Sequence, residues 1–118
     1  MKTKKYLTLI TLLTYILSVN NLFGQGINED YKIVASDGST NDEFGYSISL
    51  DNGIGAVGTP FDDDNGSNSG SAYLFDASTG LQIVKLLPSD GTENAEFGYS
   101  IAIDNGIVAV GAKGDSEN

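Results

Sequence analysis

Apolar and polar side chains alternate in a short segment near the middle of the chain. Tyr46, Ile48 and Leu50 alternate with two serines, and a period of two is typical of a β-strand with one face towards a core. Asn52-Gly53 comes directly afterwards. This dipeptide is a strong hairpin signal because a type I′ turn requires positive φ at both central residues. The pattern predicts two antiparallel strands joined by a tight turn.

The predicted turn also fixes how the two strands pair. Ile48 is expected to lie opposite Val57 on one face, and Ser47 opposite Gly58 on the other. Bulky residues then collect on one face of the hairpin and small residues on the other. Sheets that stack face to face need this large-against-small fit. The hairpin is therefore expected to belong to a stack of sheets.

The same pattern occurs twice in the chain. Lys32–Pro60 aligns without a gap with Lys85–Lys113, at a displacement of 53 positions, and 18 of the 29 aligned residues are identical. The densest match joins Glu43–Ile48 to Glu96–Ile101. A period close to 50 residues is typical of a four-stranded propeller blade. The chain is therefore predicted to contain blades.

Two further strands complete the repeat unit, at Ser71–Phe75 and Leu81–Leu86. A segment rich in turn-forming residues separates them. The prediction is an all-β fold built from propeller blades of four antiparallel strands, with one complete blade at about 46–87. Partial blades flank it: the last strand of one at Tyr31–Val34 and the first hairpin of another at 99–111. No helix is expected after residue 26.

Short motifs at equivalent positions of both copies indicate a family. Phe44-Gly45 and Phe97-Gly98 are each followed by Tyr-Ser, and Val57–Pro60 and Val110–Lys113 end each hairpin. Together with Gly66–Asp76, these residues resemble the FG-GAP repeat of integrin-α-like β-propellers, in its bacterial secreted type. The resemblance implies a propeller fold and a role in adhesion, recognition or scaffolding. It implies a protein or glycan ligand without identifying one.

The phenylalanine and glycine of each Phe-Gly pair are expected to act at blade boundaries. Phe44 and Phe97 each precede a strand, where an aromatic ring fills the gap between adjacent blades. Gly45 and Gly98 would let the backbones approach. Exposed rings that stack on a ligand are the alternative, and a core position is favoured because large aromatic residues are mostly buried.

A propeller needs about four blades or more to close its ring. Residues 27–118 supply one complete blade and parts of two others. We therefore expect further blades, and the hypothesis is that this sequence is the front of a longer propeller protein.

The first 26 residues have the order of a secretory signal peptide. Three lysines lie among the first five residues, the apolar run Leu7–Val19 follows, and small residues come next. The run is too short for a bilayer, which needs about 20 residues. Cleavage is expected after Gly24 or Gly26. The alternative is a membrane anchor helix.

Export is the expected consequence, to the exterior, the cell surface or the periplasm. No stable membrane span is expected after cleavage. The chain contains no cysteine, so neither disulfides nor a lipid anchor on cysteine is expected. Burial and neighbouring blades must hold the domain together instead.

Charge separates the leader from the rest of the chain. All 16 acidic residues follow Gly26, against three lysines and no arginine or histidine, which gives residues 27–118 a net charge of −13. Such a surface repels phosphate backbones, so nucleic-acid binding is excluded. Attraction of cations or basic partners is one interpretation, and solubility is the other.

The family's calcium loop is not expected here. In integrin-type blades an Asp-rich loop lies between the Phe-Gly and Gly-Ala-Pro motifs, but Asp51-Asn52-Gly53 is a tight turn with one carboxylate. Calcium requires about six to eight oxygen ligands. The one dense acidic cluster is Asp62-Asp63-Asp64. In the alternative interpretation, its first and last carboxylates share a calcium ion whose shell is completed by backbone carbonyls and water. A solvated acidic loop is the favoured interpretation.

No catalytic, cofactor-binding or metal-binding residue is predicted. Gly53–Gly58 matches G-x-G-x-x-G, but a dinucleotide site needs a helix after this motif, and Thr59-Pro60 follows. Lys85 has no acidic partner close in sequence. The prediction is a secreted non-enzymatic recognition, adhesion or scaffold module that needs no cofactor. Two alternatives are an accessory domain of a larger secreted hydrolase and a calcium-dependent binding module.

Overall fold

The computed structural model describes residues 29–116, so the predicted signal peptide (1–26) lies outside the described residues. The described part contains six β-strands and no helix. The strands are β1 (Ser47–Asp51), β2 (Ile54–Thr59), β3 (Ser71–Asp76), β4 (Gln82–Leu86), β5 (Phe97–Asp104) and β6 (Ile107–Ala112).

The strands form two antiparallel sheets. One has the order β1-β2-β3-β4, and the other pairs β5 with β6. Within each sheet, every strand pairs with the next strand in sequence, which is the meander that defines a propeller blade. The predicted fold class is therefore confirmed: the described chain is all-β, with one four-stranded blade and the first hairpin of another.

The predicted register is confirmed in both copies. Ile48 lies opposite Val57 and Ser47 opposite Gly58. Ile101 lies opposite Val110 in the second hairpin. The turn between β1 and β2 has positive φ at both central residues, 46° at Asn52 and 78° at Gly53, as a type I′ turn requires.

The repeat is also present in the backbone conformation. Left-handed φ angles occur at Glu43 (56°) and 53 positions later at Glu96 (55°). They occur again at Gly45 (92°) and at Gly98 (94°). Non-glycine residues adopt this region rarely, so matching values at matching positions show that both copies fold alike.

The apolar core lies on the bulky face of the four-stranded sheet. Val57, Tyr73 and Phe75 are buried there. The ring centroid of Phe44 lies 5.6 Å from that of Tyr73 and 5.8 Å from that of Phe75, both edge to face, a favoured aromatic geometry. The expectation that Phe44 belongs to the core is confirmed.

The segment before β1 differs from its expectation. Tyr31–Val34 was expected to form the last strand of a blade, but it forms no strand among the described residues. A strand requires a hydrogen-bonded neighbour, and no described strand pairs with this segment. Ile33 and Ala35 pack against the core instead.

The small face of β1–β2 packs against β5. Ser47 Oγ donates to the carbonyl oxygen of Gly98 at 2.7 Å, and the Ile103 amide donates to Ser49 Oγ at 3.1 Å. A Cβ added to Gly58 would lie 2.0 Å from the carbonyl oxygen of Gly98. The backbones therefore approach as closely as glycine allows, and the large-against-small fit is realised.

Candidate functional site

One lysine and three carboxylates meet at the end of the blade where the β2–β3 loop lies. Lys85 Nζ is 2.8 Å from Asp37 Oδ2, 2.8 Å from Asp62 Oδ2 and 2.5 Å from Asp64 Oδ2. Lys85 lies on β4 opposite Tyr73 on β3. We call these five residues the Lys85 cluster. It joins four parts of the chain: the segment before β1, the β2–β3 loop, β3 and β4.

Asp62 is the buried centre of the Lys85 cluster, with a side chain only 3% exposed. Its Oδ1 accepts the Asp64 amide at 2.9 Å. Its Oδ2 accepts the Ser71 hydroxyl at 2.8 Å and also contacts Lys85. A buried charge is costly unless it is paired and hydrogen-bonded, and here both conditions are met.

Tyr73 contributes its hydroxyl to the same cluster. That hydroxyl lies 2.9 Å from Asp37 Oδ1 and 3.0 Å from Asp62 Oδ2, so its single proton is donated to one carboxylate at a time. Lys85 Nζ lies 5.2 Å from the centroid of the Tyr73 ring, within range of a cation–π contact. Tyr73 therefore connects the ion cluster to the apolar core.

Electrostatics keep Lys85, Asp37 and Asp62 ionised. Burial lowers the pKa of Lys85, but hydrogen bonds to Asp37, Asp62 and Asp64 outweigh it and raise that pKa above its usual range. Burial likewise raises the pKa of Asp62, yet the bonds it accepts, first from Lys85, leave its pKa lowered. The bond from Lys85 lowers the pKa of Asp37.

These shifts determine what chemistry the cluster supports. A lysine acts as a base or nucleophile only when its amine is neutral, and the raised pKa of Lys85 opposes that state. Burial also raises the pKa of Tyr73 to about 12, which keeps its hydroxyl protonated. The arrangement is suited to fixing the β2–β3 loop against the blade.

The acidic segment Asp62–Asp64, which the sequence offers as an alternative calcium site, contributes two residues to this cluster. Asp62 and Asp64 do share a cation, but the cation is the Lys85 ammonium group. The donor set does not fit calcium while this nitrogen sits among the carboxylates, because calcium takes oxygen ligands only. Among residues 29–116, no group of three or more acidic side chains is arranged to hold a metal ion. Calcium binding stays the untested alternative, and it would require Lys85 to leave.

A second feature is an edge formed by hairpin turns. The Asn105 amide in the β5–β6 turn donates to Asp51 Oδ2 at the β1–β2 turn, at 2.9 Å. The Ala77 amide in the β3–β4 turn donates to the Gly53 carbonyl at 2.8 Å. We call residues 51–53, 76–80 and 104–106 the turn rim. Its turns are held in register by these hydrogen bonds.

The remaining motifs have structural roles. Gly53–Gly58 forms a turn and strand β2, and no helix follows it among the described residues. A Cβ on Gly98 would lie 2.2 Å from the Ser71 carbonyl, so the close approach expected of Gly98 is confirmed. Gly45 shows no such contact, since nothing lies within 4 Å of its added Cβ.

Sequence reasoning missed the partners of Lys85. Asp37 and Asp62 are 48 and 23 positions away from it in the chain, so proximity along the sequence gave no signal. The repeat offered an indirect one, because Asp37-Gly38 recurs at Asp90-Gly91. An acidic residue that recurs at a fixed repeat position is expected to have a partner within each blade.

Comparisons with known proteins agree with this geometry. The sequence profile of the FG-GAP repeat matches residues 27–75 and 81–118. Searches of curated proteins and of solved structures gave no significant match. Among residues 29–116, no helix has the length and apolar character needed to cross a membrane. Because the two matches cover most of the chain, the chain belongs to the FG-GAP repeat family.

Proposed function

We propose that this chain is an exported, non-enzymatic recognition or adhesion module that binds a basic partner through the turn rim. FG-GAP repeats form propeller-type modules that are commonly used for binding. A rigid scaffold with exposed loops is the usual arrangement for such a role.

One observation supports the turn rim above other surfaces. The turns of consecutive copies are tied together by the hydrogen bond from the Asn105 amide to Asp51 Oδ2. A preorganised surface loses little conformational freedom on binding. Carboxylates of Asp51, Asp76 and Asp104 lie along this rim, so its charge complements lysine- or arginine-rich partners.

The test measures binding of the full chain to arrays of basic proteins and of glycans. We expect saturable binding to basic ligands that weakens as salt is added, because exposed charges are screened. Replacing Asp51→Asn and Asp104→Asn together is expected to weaken it about tenfold or more. The matched control is Glu29→Gln with Asp30→Asn, which removes the same charge from exposed residues outside the rim.

An equal loss of affinity for basic ligands in both double variants would show that net charge, and not the turn rim, governs binding. Turnover of chromogenic ester, phosphate or glycoside substrates would contradict the non-enzymatic part of the proposal. Export is tested separately, by fractionating cells that make the chain with its own leader. Retention of the uncleaved chain in the cytoplasm would contradict it.

A further inference from the structure

Two tyrosine rings meet where the two repeat copies stack. Tyr46 comes directly before β1, and Tyr99 is the third residue of β5, 53 positions later. Their ring centroids lie 4.9 Å apart, with an angle of 43° between the ring planes. Rings at this separation are in contact. Among residues 29–116, no other ring contact joins two tyrosines.

The repeat places both rings by the same local structure. The Tyr46 amide donates to the Glu43 carbonyl oxygen at 3.1 Å. In the second copy the Tyr99 amide makes the equivalent bond to Glu96, also at 3.1 Å. Each bond closes a four-residue turn whose third residue is a glycine with positive φ, as a type II turn requires. Each tyrosine therefore leaves the same kind of turn.

A backbone contact beside the rings fixes the distance between them. Ser47, which follows Tyr46, donates its hydroxyl to the Gly98 carbonyl oxygen at 2.7 Å. Gly98 in turn comes directly before Tyr99. The close approach of Gly58 and Gly98 holds the same two sheets together. The ring contact is therefore built into the packing of the copies.

The surroundings of the pair leave it open to reagents. Tyr46 is 44% exposed, so solvent reaches the pair through its ring. The Phe61 ring lies edge to face with that of Tyr46, and Lys113 Nζ lies 4.5 Å from the centroid of the Tyr99 ring. Neither neighbour is a phenol. A radical formed on one ring of the pair therefore has the other ring as its phenolic partner.

We propose that Tyr46 and Tyr99 are a site of oxidative cross-linking, where hydrogen peroxide and a haem peroxidase join the two copies through a dityrosine bond. Each phenol loses one electron and one proton, and the two radicals couple through a carbon–carbon bond between ring positions next to the hydroxyls. The ring protons at those positions then move to the oxygens, which restores both phenols. Peroxide takes up the two electrons and two protons, its O–O bond breaks, and two water molecules form.

Such a bond would supply a covalent tie that the composition otherwise withholds. The chain contains no cysteine, so no disulfide joins the copies. A cross-link stabilises a fold mainly by restricting the unfolded chain, and the effect grows with the length of the closed loop. This bond closes a loop between positions 53 apart. The pair lies at the end of β1 opposite the turn rim, so the inference does not rest on the proposed binding function.

The test treats the full chain with hydrogen peroxide and a haem peroxidase. We expect dityrosine fluorescence in a product that migrates as a monomer under denaturing conditions. Its mass is expected to be lower by two hydrogen atoms, and peptide mapping is expected to place the link between residues 46 and 99. The cross-linked chain is also expected to unfold at a higher urea concentration than the untreated chain.

Matched variants locate the link. Tyr46→Phe and Tyr99→Phe each keep the ring and remove the phenol, so each is expected to abolish the 46–99 product. Tyr31→Phe is the control, because Tyr31 is 53% exposed and contacts no other tyrosine ring among the described residues. It is expected to leave the yield unchanged. Oxidation in concentrated urea, where the ring contact is lost, is expected to reduce the yield of the same product.

Three results would overturn the proposal. The first is dityrosine found only between chains, with none in the monomer. The second is a link mapped to Tyr31, or to Tyr6 or Tyr15 of the leader, in place of the 46–99 pair. The third is an equal yield of the 46–99 product in the folded and the urea-unfolded chain, which would show that chance encounters produce it.

Discussion

At the scale of single residues, two glycines decide how close the copies lie. Gly58 and Gly98 face each other where the first sheet meets β5. Only glycine fits here, because an added Cβ on either one falls within 2.2 Å of a backbone oxygen. Both belong to the paired motifs on which the family resemblance depends. The motif is therefore explained by packing between blades.

Replacing Gly58→Ala tests this contact. We expect unfolding free energy to fall by about 1–3 kcal/mol, the usual cost of overpacking, measured by urea denaturation. Gly55→Ala on the same strand is the control, since its added Cβ meets nothing closer than 4.0 Å. A loss at Gly55 as large as the loss at Gly58 would contradict the close approach.

The Lys85 cluster predicts how stability depends on pH. The pKa values of Asp37 and Asp62 are lowered. Their contribution to the free energy of unfolding is therefore complete above about pH 4, the pH at which such carboxyl groups titrate in an unfolded chain. It is lost at more acidic pH. The pKa of Lys85 is raised and that of Tyr73 is about 12. The contribution of these two groups to the free energy of unfolding is complete below about pH 10 and is lost as the pH rises further.

The measurement is the urea concentration at the midpoint of unfolding, determined at a series of pH values from strongly acidic to strongly alkaline. Lys85→Met is expected to lower the midpoint at neutral pH, because Asp62 is left buried without its cation. In this variant the urea midpoint is also expected to fall less at the acidic and alkaline ends of the pH range than it does in the parent chain. A variant profile parallel to that of the parent chain would contradict the assigned role of Lys85.

At the scale of elements, hairpins were predictable and long loops were not. Alternation from Tyr46 to Leu50 and the Asn52-Gly53 turn are local signals, and they gave the register of β1 with β2. The Lys85 cluster depends on the β2–β3 loop folding back onto β4, which no local pattern encodes. The repeat position of Tyr31–Val34 predicts a strand, but a strand also needs a hydrogen-bonded neighbour. No described strand pairs with this segment, so it forms none.

The hairpin turn supports a direct test. Gly53→Val is expected to cost about 1–2 kcal/mol of unfolding free energy, because a β-branched residue resists the left-handed φ of 78° found there. Gly53→Asn is the control, since asparagine adopts this conformation more readily. Equal stability of the valine variant and the parent chain would show that the turn is not type I′.

At the scale of the whole molecule, stacking of unlike faces organises the fold. Ser47 and Ser49 on the first sheet bond to the backbone of β5. The opposite face of the first sheet still exposes Ile48 and Leu50, which are 69% and 67% exposed. In the second copy their counterparts, Ile101 and Ile103, are partly buried. The difference is the presence of a neighbouring sheet, so each further blade would bury one more such face.

Segments 53 positions apart fold alike and stack through Gly58 and Gly98. Both features can be measured by solution NMR of the full chain. We expect positive φ from coupling constants at the pairs Glu43/Glu96 and Asn52/Asn105, together with a nuclear Overhauser contact between Gly58 and Gly98. Unlike φ values within either pair, or two formed hairpins without the glycine contact, would contradict it.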